Sequence, residues 1–138
     1  MNSRWSTAAA VVLAAIFGLA SLAKLADPAG FAFQLEDFGV PPGASWPAAW
    51  VIALSELTLA AGLLAPRHRR RSATIASVAL IAFAVVMSLH HGENIECGCF
   101  GSALATRLTT THIAADLFLS ASAFVVALKA PAPIGHRV

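Results

Sequence analysis

The chain reads as an all-α integral membrane protein, a four-helix bundle with both termini in the cytoplasm. Three observations predict this. Of its 138 residues, 58% are hydrophobic and only 12% are charged, far from the balance of a soluble domain. Four apolar stretches each approach the ~20 residues that a helix needs to cross the hydrocarbon of a bilayer. The charges and helix breakers collect in the links between them. Four buried helices in so short a soluble chain would leave no amphipathic surface to face water. The whole of 1–138 is expected to form one transmembrane domain.

The first stretch runs from about Thr7 to Ala26, and Lys24 followed by Asp27-Pro28 reads as a helix stop at the membrane interface. Met1 to Arg4 is a short, weakly basic start, so a cleaved signal peptide is the competing reading. The stretch is long for a signal core, which favours a spanning helix. The second stretch covers about Trp46 to Ala65, after Gly39-Val40-Pro41-Pro42-Gly43. The third covers Ser72 to His90, behind Pro66 and the basic run Arg67-His68-Arg69-Arg70-Arg71. The fourth covers His112 to Ala130, after a link from His91 to Thr111. Basic residues mark cytoplasmic loops, so the arginine run belongs inside, as do Arg4 before the first helix and Lys129, His136 and Arg137 after the fourth. The first loop instead carries Asp27, Glu36 and Asp37. The protein is thus expected in a bacterial inner membrane, its basic run a topology signal in contact with lipid and not a nucleic-acid site.

Both cysteines lie in Glu96-Cys97-Gly98-Cys99-Phe100-Gly101, in the link that this topology places outside the cytoplasm, where disulfides form. A bridge between i and i+2 requires the chain to turn, and Gly98 is the residue expected to allow it. A disulfide closing so small a ring stabilises little and exchanges readily, which suits relay better than stapling. Two other readings compete: incidental free thiols, and a metal site with His90, His91 and His112. A lone Cys-x-Cys is a weak metal signature, and no metal is expected.

Glu56 falls about mid-membrane in the second helix, where an ionisable group needs a partner, and Lys24 is the candidate. The pair is either functional or structural. His112 and Asp116, four apart, share one face near the outer end of the fourth helix. They are placed either to move protons for thiol chemistry or as a structural pair at the helix start, with Thr110 or Thr111 as the cap and Asp116 hydrogen-bonded within the bundle.

These residues resemble the methylamine utilisation protein MauE family, within a wider MauE/DoxX set of small redox-associated membrane proteins. The resemblance covers almost the whole chain. It rests on Lys24-Leu25-Ala26-Asp27-Pro28 with Phe31, on Phe38-Gly39-Val40-Pro41, on Ser55-Glu56-Leu57 with Gly62-Leu63-Leu64, and above all on Cys97-Gly98-Cys99-Phe100-Gly101. One departure is Ala115, which stands before Asp116 where the family often carries Arg. The resemblance implies a four-helix membrane bundle that acts with a periplasmic thioredoxin-like partner in maturing methylamine dehydrogenase.

The functional expectation is therefore a thiol-disulfide relay or maturation factor. Cys97 and Cys99 would cycle between dithiol and disulfide, supported by Glu56, Lys24, His112 and Asp116. A membrane quinone is a candidate electron acceptor, although no quinone motif is visible. The alternatives are a non-enzymatic assembly subunit and a carrier of small solutes or metal. The residues alone do not decide whether the chain is an enzyme.

Overall fold

The computed structural model describes residues 3–130 and is 79% helical. His136 and Arg137 of the charge argument lie outside the described residues. Five helices form: α1 (Ser3–Ala26), α2 (Pro28–Asp37), α3 (Pro42–Leu64), α4 (Arg69–Leu89) and α5 (Thr110–Lys129). Between α4 and α5, strands β1 (Glu96–Cys97) and β2 (Thr106–Arg107) pair antiparallel, with Cys97 opposite Thr106, and a 3₁₀ turn spans Ser102–Leu104.

Helices α1, α3, α4 and α5 are each long and apolar enough to cross a membrane, and each overlaps one of the four expected stretches, α3, α4 and α5 ending one residue sooner. The short α2 corrects the expectation of a plain link. Asp27 caps it by accepting the Gly30 N–H at 3.0 Å, and Pro28 occupies a first-turn position where its missing N–H is harmless. Phe31, Ala32 and Leu35 then form a buried stripe against Ala49 of α3. Asp27-Pro28 thus ends one helix and starts the next. The later helices also begin earlier than expected. Pro42 is tolerated in the first turn of α3. Arg69 joins α4, where its Nε donates to the Leu63 carbonyl at 3.0 Å and satisfies a free end of α3.

The four long helices close into a ring in which α1 packs on α3 and α5, and α4 on α5 and α3. Its interior is built from small residues, among them Ala10, Ala14, Ala60, Ala73, Ala76 and Ala123. Large side chains such as Val12, Leu19, Val51, Ile75, Val78, Phe118 and Leu128 point outward. Small residues between helices let backbones approach, while large apolar ones meet lipid; this is the packing expected in a bilayer. Buried hydroxyls find partners across helices. Ser77 and Ser120 exchange hydrogen bonds with each other's carbonyls at 3.1 and 3.0 Å, and Ser21 donates to the Ala53 carbonyl at 2.7 Å.

The two ends of the bundle differ in character. Arg69 reaches Thr7 at 3.3 Å, so the arginine run and the start of α1 share one end. The end of α1, α2 and the cysteine link share the other.

Candidate functional site

The cysteine loop does not hang free; it folds back onto the helices. The Ser102 hydroxyl hydrogen-bonds the Asp27 carboxylate, which also accepts the Gly30 N–H. These two contacts hold the Asp27 pKa below its ordinary 3.8. Gly101 has φ +71 and lies so close to α1 that a Cβ would stand 2.9 Å from the Ala23 carbonyl oxygen. The Cys99 carbonyl accepts a hydrogen bond from Lys24 Nζ at 2.5 Å. Together these contacts draw the loop in between α1 and α2.

Gly98 serves a purpose other than the expected one. It is not among the glycines with positive φ; the left-handed position falls at Gly101. A Cβ at Gly98 would lie 2.6 Å from Gln34 Oε1 and 3.3 Å from the Phe31 ring. Glycine at 98 therefore buys close approach to α2, not a turn.

The two thiols face each other with Sγ atoms 2.7 Å apart, both free, against the about 2.05 Å of a covalent bridge. Their surroundings are unequal. Cys97 is buried against Met87 and Leu108, with its Sγ 4.0 Å from the Met87 sulfur, whereas Cys99 is half-buried. The Cys99 thiol donates toward Cys97, and the Cys99 N–H adds a second contact. Against the opposing effect of burial, they lower the Cys97 pKa to about 7. Cys99 is pushed up, first because it holds that hydrogen-bonded proton and then by burial. Negative charge thus collects on the inner sulfur.

Below the thiols, Lys24 Nζ meets both Glu56 oxygens at 3.0 and 2.8 Å and lies 5.2 Å from the Phe31 ring centre. The expected Lys24–Glu56 pairing is present, and the structure adds the Cys99 carbonyl as a third acceptor for the same ammonium. Asp116 is buried and lines the space beside the thiols. His112 does not join it. Its Nδ1 accepts from the Thr109 N–H at 3.2 Å and its Nε2 lies 3.0 Å from the Thr106 hydroxyl, so the ring closes the start of α5. The capping residue is Thr109, ahead of both expected candidates, Thr110 and Thr111. His90 pairs with Glu93 at 2.9 Å, and His91 with Thr110 at 3.1 Å. Among the described residues no three His, Cys, Asp or Glu side chains gather as a metal ion would require.

A cavity of about 320 Å³ opens next to Cys97, Gly98 and Cys99 and is lined by all five helices, α3 contributing Glu56, with Lys24, Gln34, Glu56 and Asp116 its polar members. Gln34 escaped the sequence reading. Its buried Oε1 has no hydrogen-bond partner among the described residues. The available signal was one amide inside the apolar stripe of α2.

The sequence model described as "Methylamine utilisation protein MauE" matches residues 3–129. The chain belongs to the MauE family. It is 33% identical over 124 residues to the methylamine utilization protein MauE of Paracoccus versutus, covering 87% of this chain and 67% of that one. Its identity to the protein of the same name from Paracoccus denitrificans is 30% over 128 residues, covering 90% and 69%. No solved structure matches. Four spanning helices and this MauE kinship make the chain a multi-pass membrane protein with a MauE-like role.

Proposed function

We propose that the chain is a membrane thiol-disulfide exchange factor whose Cys97–Cys99 pair faces the extracytoplasmic side and trades electrons with a thioredoxin-like protein. In that role it serves maturation of methylamine dehydrogenase or a related disulfide-rich protein; the names of its MauE relatives speak of methylamine utilization. The observation that carries the reading is the unequal, mutually facing thiol pair. The arginine run at the opposite end of the bundle supports the orientation.

The asymmetry assigns roles. In the oxidised form a partner thiolate attacks the half-buried Cys99 sulfur, and the S–S bond breaks toward Cys97. Cys97 departs as a thiolate, and the lower thiol pKa makes it the better leaving group. The partner's second thiolate then attacks its own bridged sulfur. That step forms the partner disulfide and releases Cys99, which takes up a proton. The reverse reaction uses the same atoms. Lys24 and Glu56 position the loop, and neither forms a bond with the reacting sulfurs.

The test is the state of the pair in intact cells, quenched in acid and counted by mass shift with a membrane-impermeant maleimide before and after reduction. Cys97→Ser should trap a mixed disulfide through Cys99, and the wild-type pair should change state when periplasmic thioredoxin-like proteins are deleted. Thiols that label fully in every background would refute the relay and leave an assembly role. No labelling even after reduction would refute the outward orientation.

A further inference from the structure

Exchange with a soluble partner accounts for one half of a redox cycle; the electrons gained by Cys97 and Cys99 must then pass to a second, two-electron acceptor. The cavity behind the thiols has the features of a site for one. Its volume of about 320 Å³ lies at the small end of the ~300–1,000 Å³ of small-molecule sites. Five of the chain's eight Phe residues line it. It extends from the thiols to Ile16 and Leu80, ten and nine residues inside the ends of α1 and α4, roughly 15 Å at 1.5 Å per residue. Its partly exposed lining includes the apolar Phe38, Phe83 and Val86 on one side and Gly98, Cys99 and Phe100 of the cysteine loop on the other, so the mouth carries no charged side chain.

Two polar groups inside this chamber have no hydrogen-bond partner among the described residues. Gln34 is 5% exposed, and its buried Oε1 has no partner among the described residues; the carboxyl of Asp116, 8% exposed, makes no hydrogen bond to a described residue and faces the cavity. Buried polar groups are ordinarily satisfied, so both call for a ligand that carries hydroxyl or carbonyl oxygens. An acyl chain would leave them unsatisfied, and a hydrated cation would not shed its water to enter an apolar, aromatic-walled mouth.

Building on the thiol-exchange reading, we propose that the cavity binds the ring of a lipid-soluble quinone, with its tail leaving past Val86 into the bilayer, and that the Cys97–Cys99 dithiol reduces it. The step balances. Two thiols lose two electrons and two protons and form one S–S bond; the ring gains both electrons and both protons and leaves as hydroquinone. Asp116 carries a proton between sulfur and ring oxygen, and Gln34 Oε1 accepts the hydroxyl of the hydroquinone.

The experiment uses the full chain in nanodiscs, reduced and freed of reductant, mixed with decylubiquinone or menadione. Quinone absorbance and thiol count are followed together. We expect one quinone reduced for every two thiols lost, with Gln34→Leu and Val86→Trp each raising the quinone KM at least tenfold. In parallel, the oxidised wild type is offered a reduced thioredoxin-fold protein. If it exchanges thiols there but its reduced form never reduces quinone, the cavity proposal falls and the relay stands. If it does neither, the relay reading itself falls. If quinone is reduced with unchanged KM by Val86→Trp, Gln34→Leu and a deeper plug, Leu119→Trp, all with parental melting temperature, the site is not this cavity.

Discussion

Cys99→Ala isolates the contact that sets the chemistry of the inner thiol. In the parent, Cys97 lies at about 7 because the Cys99 thiol and N–H face its sulfur; burial and the Asp116 charge push the other way. Removing the thiol donor removes the largest lowering influence while both opposing ones remain. Cys97 should then return to its ordinary 9.0 or above. At pH 7 the thiolate fraction falls from about one half to about one in a hundred, a loss of roughly 3 kcal/mol at 1.36 kcal/mol per unit. The assay is the pH dependence of Cys97 alkylation by iodoacetamide in the reduced, detergent-solubilised protein. The midpoint is the readout, because truncating Cys99 also opens access and alters the absolute rate. Cys99→Ser keeps an O–H donor and should move the midpoint less than Cys99→Ala. A parental midpoint near 9, or one near 7 that survives Cys99→Ala, would refute the argument that the second thiol activates the first.

Breaking the Lys24–Glu56 pair with Glu56→Gln leaves an ammonium that is 2% exposed without its counter-charge. This should cost about 3–5 kcal/mol in detergent unfolding, whereas Lys24→Met with Glu56→Leu should recover much of it. Gly101→Ala forces a side chain into φ +71 and against the Ala23 carbonyl. A loss of about 1–3 kcal/mol is expected, seen as faster hydrogen exchange over residues 96–107 and little change in the helices. The Asp27 carboxyl has a folded pKa below its ordinary 3.8, so its contribution is complete above that value and disappears as pH falls through the lowered one. The Asp27–Ser102 tether should thus persist at pH 5, and Asp27→Asn should loosen the loop at pH 5 and 7 alike, read by limited proteolysis. Alanine at both Ser77 and Ser120 should cost on the order of 1 kcal/mol, since a hydrogen bond between membrane helices averages about 0.6.

The spans were legible because hydrophobic length is a one-dimensional property: each helix must satisfy its own backbone within lipid, so twenty apolar residues announce themselves. The Lys24–Glu56 pair was legible for the same reason, since two opposite charges in apolar helices have few alternatives to each other. Helix α2 was hidden because ten residues are too short to span, and Asp27-Pro28 punctuates an ending and a beginning with the same letters. The depth of the cysteine loop was hidden because its determinants are pairwise and distant. Ser102 meets Asp27 and Cys99 meets Lys24 at separations of 75 residues in each case. The role of Gly98 was misplaced for the same reason. Close packing against Gln34 and positive φ both demand glycine, and only the fold separates them.

A buried ion pair is an expensive element for a 138-residue membrane protein, and by itself weak grounds for stability. What the Lys24 pair provides is position. The ammonium has three protons; Glu56 takes up two of its contacts and the Cys99 carbonyl the third. Glu56 is fixed on α3, so it fixes the ammonium, and the ammonium fixes the backbone between the two sulfurs and Phe100. An apolar replacement could fill the same volume but could not hold a carbonyl oxygen at 2.5 Å. The same cation also helps lower Cys97. Retaining the pair is therefore explained by the loop: Lys24 and Glu56 convert a mobile link into a dithiol held at one depth, beside the cavity and within reach of the surface.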